Sequence, residues 1–171
     1  DGGLWARIIQ SLYVDVPRRN GKTTLSGGIA MYLTAADGED GAEVYALAAG
    51  KEQARKTFDP VKAIAEKSPA VGPNVKCLAD MIVHKRTGSF FQVVSSVADL
   101  MHGANVHGAI IDELHVHKKA DLVETVETGT GSRHQPLVTI ITTADEGRQD
   151  TIYARKRKYI EQLARKIIRD E

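Results

Sequence analysis

The sequence predicts an α/β fold with a mostly parallel central sheet, helices on both faces and an inserted β-hairpin. Three observations carry that prediction. The apolar run Leu12-Tyr13-Val14, with Val16, reads as a buried strand that leads through Pro17, Arg18, Arg19 and Asn20 into Gly21-Lys22-Thr23-Thr24. Behind it Leu25, Ile29, Tyr32 and Leu33 recur at helical spacing. A second apolar run, Gly108-Ala109-Ile110-Ile111, ends in the paired carboxylates Asp112 and Glu113. Acids there lie at the carboxyl edge of a parallel sheet, where open α/β folds keep their ligands. Between the two, Met81-Ile82-Val83 and Phe90–Val94 flank a turn at Lys85–Gly88, which is a hairpin pattern.

Composition bounds the rest. At 171 residues the chain is long enough to bury a full core and reads as one domain, 1–171. No apolar run approaches the roughly 18 residues of a membrane span, and Leu4–Ile9 is too short, and lacks the cleavage site, for a signal peptide. A net charge of +1 excludes a polycation that coats nucleic acid without specificity, so any such contact is local. The single Cys77 cannot close an intrachain disulfide, which fits a reducing, cytoplasmic setting, and it reads as a small core residue. The opening Asp1-Gly2-Gly3 and the charged close suggest a piece of a longer polypeptide.

Ser11–Thr24 reads as a phosphate-binding loop between a strand and a helix. The pattern G-x-x-x-x-G-K-[ST] asks for glycine where Val16 stands, so the match is partial. The part that touches phosphate is present. Gly21 lets backbone N–H groups turn inward, Lys22 supplies a flexible cation, and Thr23 offers a hydroxyl to magnesium. The following helix aims its positive end at the same place. Asp112 would then bind Mg2+ through water, and Glu113 would orient and polarise the water that attacks the γ-phosphate of ATP.

In chain order, Leu4–Gln10 reads as a helix end or lead-in packed on the first strand, anchored by Trp5, which reads as a core residue, a place near an adenine base being suggested only by the family resemblance given below. A helix over Lys22–Thr34 closes in an exposed turn at Asp37–Gly41, whose acids Asp37, Glu39 and Asp40 read as a solvated cluster. Glu43–Ala49 reads as a strand. Lys51–Lys67 reads as a helix with Ala54, Phe58, Val61 and Ile64 on one face, bent or broken at Pro60. Ser68–Asn74 is a loop, and the pattern is β from Val75 to Ser96. His115 and His117 lack a third ligand at suitable spacing, which argues against zinc. Asp121–Thr128 is a short helix, Gly129–Arg133 a flexible polar loop, and Pro136–Thr143 a strand whose end carries Thr142, Thr143 and Ala144. Thr151–Asp170 reads as a helix with Ile152, Tyr159, Ile160, Leu163 and Ile167 on one side and Arg155, Lys156, Arg157 and Lys158 among its basic residues, a solvated face or one turned to DNA.

The order strand, Arg-Arg-Asn-Gly-Lys-Thr-Thr, long middle, Ile-Ile-Asp-Glu-Leu-His, then Ile-Ile-Thr-Thr-Ala resembles the large terminase subunit of tailed bacteriophages. The resemblance runs from about Leu12 to Tyr153, and its most specific parts are PRRNGKTT and HGANVHGAIIDELHVHK. It implies a RecA-like P-loop NTPase of the ASCE type, with an additional strand between the Walker A and Walker B strands. It implies an ATP- and Mg2+-dependent ATPase that drives double-stranded DNA into the procapsid. By position, Asn20, Gly21, Lys22, Thr23 and Thr24 look like the nucleotide-holding residues, Thr23 and Asp112 the metal residues, and Glu113 the catalytic glutamate. Arg18 or Arg19 looks like the arginine that stabilises the transferring phosphoryl group, and Thr142, Thr143 and Ala144 like the coupling motif.

The resemblance further implies a portal protein, the small terminase subunit and double-stranded DNA as partners. It implies a homo-oligomeric ring when assembled with a monomeric isolated domain, no membrane, and a place in the bacterial host cytoplasm at the procapsid portal. Two departures stand out. No nuclease domain follows, so DNA cutting is not expected here and 151–171 reads as a basic helix or linker toward one; the adenine-contacting glutamine upstream is missing, and Gln10 is a poor substitute. The rival readings are a helicase-like translocase, since Asp112-Glu113-Leu114-His115 also spells a D-E-x-H box, and a nonhydrolysing ATP-dependent assembly module.

Overall fold

The structure, a computed structural model, describes residues 7–17, 19–47, 50–96, 104–112, 121–143 and 151–168. Among these residues seven strands form one sheet: β1 (Ser11–Asp15), β2 (Glu43–Leu47), β3 (Val75–Cys77), β4 (Met81–His84), β5 (Phe90–Val94), β6 (Val106–Asp112) and β7 (Leu137–Thr142). Their order is β1-β7-β6-β2-β5-β4-β3. The pairings from β1 through β5 are parallel, and β4 and β3 continue antiparallel as the expected hairpin and its extension. Among the described residues four α-helices cover the sheet: α1 (Lys22–Ala35), α2 (Lys51–Lys67), α3 (Asp121–Thr128) and α4 (Ile152–Ala164).

Each face has its own core. Leu33, Phe58 and Val61 pack with Val44, Ile82, Phe91 and Ile110 beneath α1 and α2. Val123, Val126, Ile152 and Tyr153 pack with Leu47, Ile111 and Ile140 beneath α3 and α4. The β6 strand is buried at every position, as a central parallel strand covered on both faces must be. Close approach fixes α1: a Cβ on Gly108 would lie 2.7 Å from Leu33 Cδ1, and one on Gly27 2.7 Å from Val61 Cγ2.

Several expectations are corrected. Leu25 and Tyr32 are 48% and 53% exposed, because α1 turns Ser26, Gly27 and Ala30 inward with Leu33, small residues that let it come close to α2. Ile64 is 58% exposed, and the inner face of α2 runs through Thr57, Phe58, Val61 and Ala65. Pro60 does not break α2, which continues to Lys67; a proline removes only one interior hydrogen bond, and the flanking packing of Phe58 and Val61 holds the helix. The β1 strand is half-buried rather than buried, since β7 is its one partner among the described residues. Arg7–Gln10 is not helical and Ile8 and Ile9 are exposed, although the Gln10 carbonyl accepts the Val138 N–H; Trp5 lies outside the described residues.

The turn at 37–41 is the largest correction. Asp37, with a side chain 3% exposed, accepts from Arg7 at 2.7 Å and faces His107 Nε2 at 2.6 Å. Arg133, expected in a flexible loop, reaches Glu39 and donates to the carbonyls of Asn105, Asp40 and Gly41. Buried carboxylates persist where cations or hydrogen-bonding groups meet them, and here they are met by Arg7 of the distant lead-in, the His107 ring of β6 and Arg133 on the approach to β7. The α4 helix stops at Ala164, with Lys166 at φ 56, and Tyr159 and Ile167 are exposed rather than packed.

Candidate active site

The β7 strand lies between β1 and β6, and its register aligns their ends. Asp15 pairs with Thr142, and Ile141 with Asp112, so the strand ends that precede the loop and carry the acid stand two strand spacings apart, about 10 Å. Every strand here is parallel, so these ends share the carboxyl edge. The loop leaves β1 at Val16, whose N–H donates to the Thr142 carbonyl at 3.1 Å, and returns at Lys22 as the first residue of α1.

The loop's local geometry follows from its sequence. Gly21 has φ 70 and ψ 18, the left-handed region that costs glycine nothing, and a Cβ there would meet nothing within 4 Å. Arg19 is also left-handed, with φ 66, so two residues of positive φ turn this short stretch. The first helical bond runs from Leu25 N–H to Gly21 O at 3.0 Å. The α1 helix has no side-chain N-cap and no acid in its first turn. Its amino end therefore offers N–H groups and positive potential toward the carboxyl edge.

Lys22 is 9% exposed at that positive end, and Asp112 is buried at the end of β6. A buried cation at a helix N-terminus is opposed by the helix dipole and favoured by an anion beside it. The donor set fits an anionic phosphate group, and the Thr23 hydroxyl with the Asp112 carboxylate are hard oxygen donors of the kind magnesium takes. Asn20 and Thr24 are exposed and Thr23 is half-buried on the same turn. Thr142 and Thr143 are buried at the end of β7, the Thr142 hydroxyl donating to the Thr143 carbonyl at 3.2 Å. Arg18, Glu113, Ala144, His115 and His117 lie outside the described residues. Gly21, Thr24, Leu25 and Gly28 also wall an open groove that runs along α1 toward Arg7 and Leu137.

Two residues beside the loop, Asp15 and Tyr153, were given no role from sequence, and Arg157 was read only as part of a basic helix face. The Tyr153 hydroxyl of α4 donates to Asp15 Oδ2 at 3.3 Å and accepts from Arg157 at 2.8 Å. An acid closing a strand just before a glycine turn was the available signal. Its partners lie far along the chain and carry none.

Comparison with known proteins agrees with this architecture. The family described as terminase large subunit, ATPase domain, matches residues 3–162. The fold is similar to the large terminase of bacteriophage HK97, with a TM-score of 0.77 at 18% identity over 92% of this chain and 33% of that one. It is also similar to the large terminase of a thermophilic bacteriophage in complex with ATP-γ-S, with a TM-score of 0.63 at 13% identity over 92% of this chain and 38% of that one. In sequence, Protein YmfN of Escherichia coli (strain K12) is 39% identical over 69 residues, which are 40% of this chain and 15% of that protein. The chain thus spans about a third of the length of these two solved terminases. Its sheet with β7 between β1 and β6 is RecA-like, and the chain belongs to the family of terminase large subunit ATPase domains.

Proposed function

We propose that this chain binds ATP and Mg2+ at the carboxyl edge of the sheet and hydrolyses the nucleotide, and that in the whole protein this hydrolysis drives double-stranded DNA into a procapsid. The observation that carries the reading is the β1-β7-β6 order, which brings the uncapped end of α1 and the Asp112 strand end to one edge. In this reading Asn20, Gly21 and Thr24 line the phosphates with backbone N–H groups, and Lys22 neutralises them. Thr23 and Asp112 hold the magnesium, which when bound lowers the negative charge of the phosphates. Glu113 orients and polarises the attacking water.

Arg18 or Arg19 offsets the charge of the transferring group, a contribution worth about 10³–10⁵ in rate. The groove beside Thr24 and Leu25 gives the base an apolar bed. Thr142, Thr143 and Ala144 link the nucleotide state to movement. The working form is a ring on a portal protein in the host cytoplasm, served by the small terminase subunit, and no nuclease step is assigned to these residues. The test is Glu113→Gln: nucleotide binding is kept while hydrolysis falls by at least about two orders of magnitude. Equal turnover in that variant removes the mechanism.

A further inference from the structure

Asp15 is the last residue of β1, immediately before the loop, and alternation puts its side chain with Ser11 and Tyr13 on the face that α4 covers. Only β7 flanks β1 among the described residues, so the root of the loop is held from one side by the Val16 N–H bond to Thr142. The other restraint comes from α4. The Tyr153 hydroxyl donates to Asp15 Oδ2 at 3.3 Å, Arg157 lies 3.8 Å from the same oxygen and donates to Tyr153, and Glu161 accepts from Arg157 Nε at 2.9 Å. Tyr153 is 3% exposed and fixed in the core, so the direction in which it holds Asp15 is fixed too.

We propose that Asp15 is a positioning residue for the phosphate loop, held by Tyr153 and Arg157 so that α4 sets where the loop leaves the sheet. The proposal rests on the reading of that loop as the nucleotide site. Magnitudes separate this role from a purely stabilising one. The Asp15 and Arg157 side chains are 29% and 44% exposed, and so exposed a pair contributes little to stability. Displacing a reacting geometry by a single ångström can cost about 10²-fold in rate.

The test compares Asp15→Asn and Tyr153→Phe with the wild-type 171-residue chain by amide exchange without nucleotide, urea unfolding and ATP turnover. Exchange of the amides from Val16 to Thr24 rises at least about fivefold in both variants while Ala30–Leu33 of α1 stays at the wild-type rate. Turnover falls about tenfold with little change in the urea midpoint. Loop exchange at the wild-type rate in both variants, or faster exchange spread evenly through α1 and the sheet, overturns the positioning role. The exchange readout involves no ATP, so a wild-type chain without turnover would count against the hydrolysis reading and leave Asp15 tested on its own.

Discussion

Asp15 and Thr142 face each other across the β1–β7 pairing, and the next amide, Val16 N–H, donates to the Thr142 carbonyl at 3.1 Å. The root of the loop and the threonine strand end are thus one hydrogen-bonded unit. A shift of one would be felt at the other, as the proposed link between nucleotide state and movement requires.

With the root pinned, the loop's shape depends on Gly21, whose φ of 70 places it in the left-handed region. Gly21→Ala meets no atom within 4 Å, so its cost is conformational, about 1–2 kcal/mol. Nucleotide affinity falls at least about tenfold, as read by titration with a fluorescent ATP analogue. Unchanged affinity would contradict the loop assignment.

Adjacent glycines in α1 separate packing from propensity. Gly27→Ala puts a Cβ 2.7 Å from Val61 Cγ2, a stiff side chain in the core between α1 and α2, and lowers unfolding free energy by about 1–3 kcal/mol. Gly28→Ala meets nothing within 4 Å and raises it by about 0.5–1 kcal/mol. Urea unfolding checks both signs, and equal effects would contradict the close approach of the helices.

His107 is buried with Nε2 at 2.6 Å from Asp37; its Nδ1 lies 3.2 Å from Glu39, within ion-pair reach but off the line of a hydrogen bond. His107→Ala leaves the Asp37 carboxylate without its hydrogen-bond partner on the buried side. Unfolding free energy falls by about 1–3 kcal/mol, although the site lies at the opposite edge from the loop. A loss under about 1 kcal/mol would show that Arg7 and Arg133 suffice.

Alkali should unfold the chain through two tyrosines. Burial holds the Tyr13 phenol above its ordinary 10.0, with Tyr153 and Asp15 adding to it, and burial with a hydrogen bond to Glu43 does the same for Tyr45. A folded value above the unfolded one contributes stability that is fully present below pH 10 and is lost as pH rises toward the folded values. The urea midpoint therefore drops above that pH in the wild type and less steeply in a Tyr13→Phe, Tyr45→Phe double variant. Parallel curves would contradict the shifts.

The sheet was legible in the sequence because strands, glycine turns and terminal acids are local signals. The bounds expected for α2 and α3 are those observed, and the hairpin at Lys85–Gly88 is in place. The inner face of α1 was not legible, because Ser26, Gly27 and Ala30 carry no apolar period and are chosen for closeness. The burial of Asp37 and Glu39 was hidden for another reason: Arg7, His107 and Arg133 meet them only after the sheet forms. The same holds for the Asp15–Tyr153 contact.

Convergence of the Lys22 turn and the Asp112 strand end on one nucleotide and one metal is most directly tested by replacing Mg2+ with Mn2+ in the complex with a nonhydrolysable ATP analogue and recording backbone amide signals. Paramagnetic broadening at two stretches at once, around Thr23 and around Asp112, with the hairpin signals near Ile82 retained, is the predicted result. Broadening confined to one of the two stretches would contradict it.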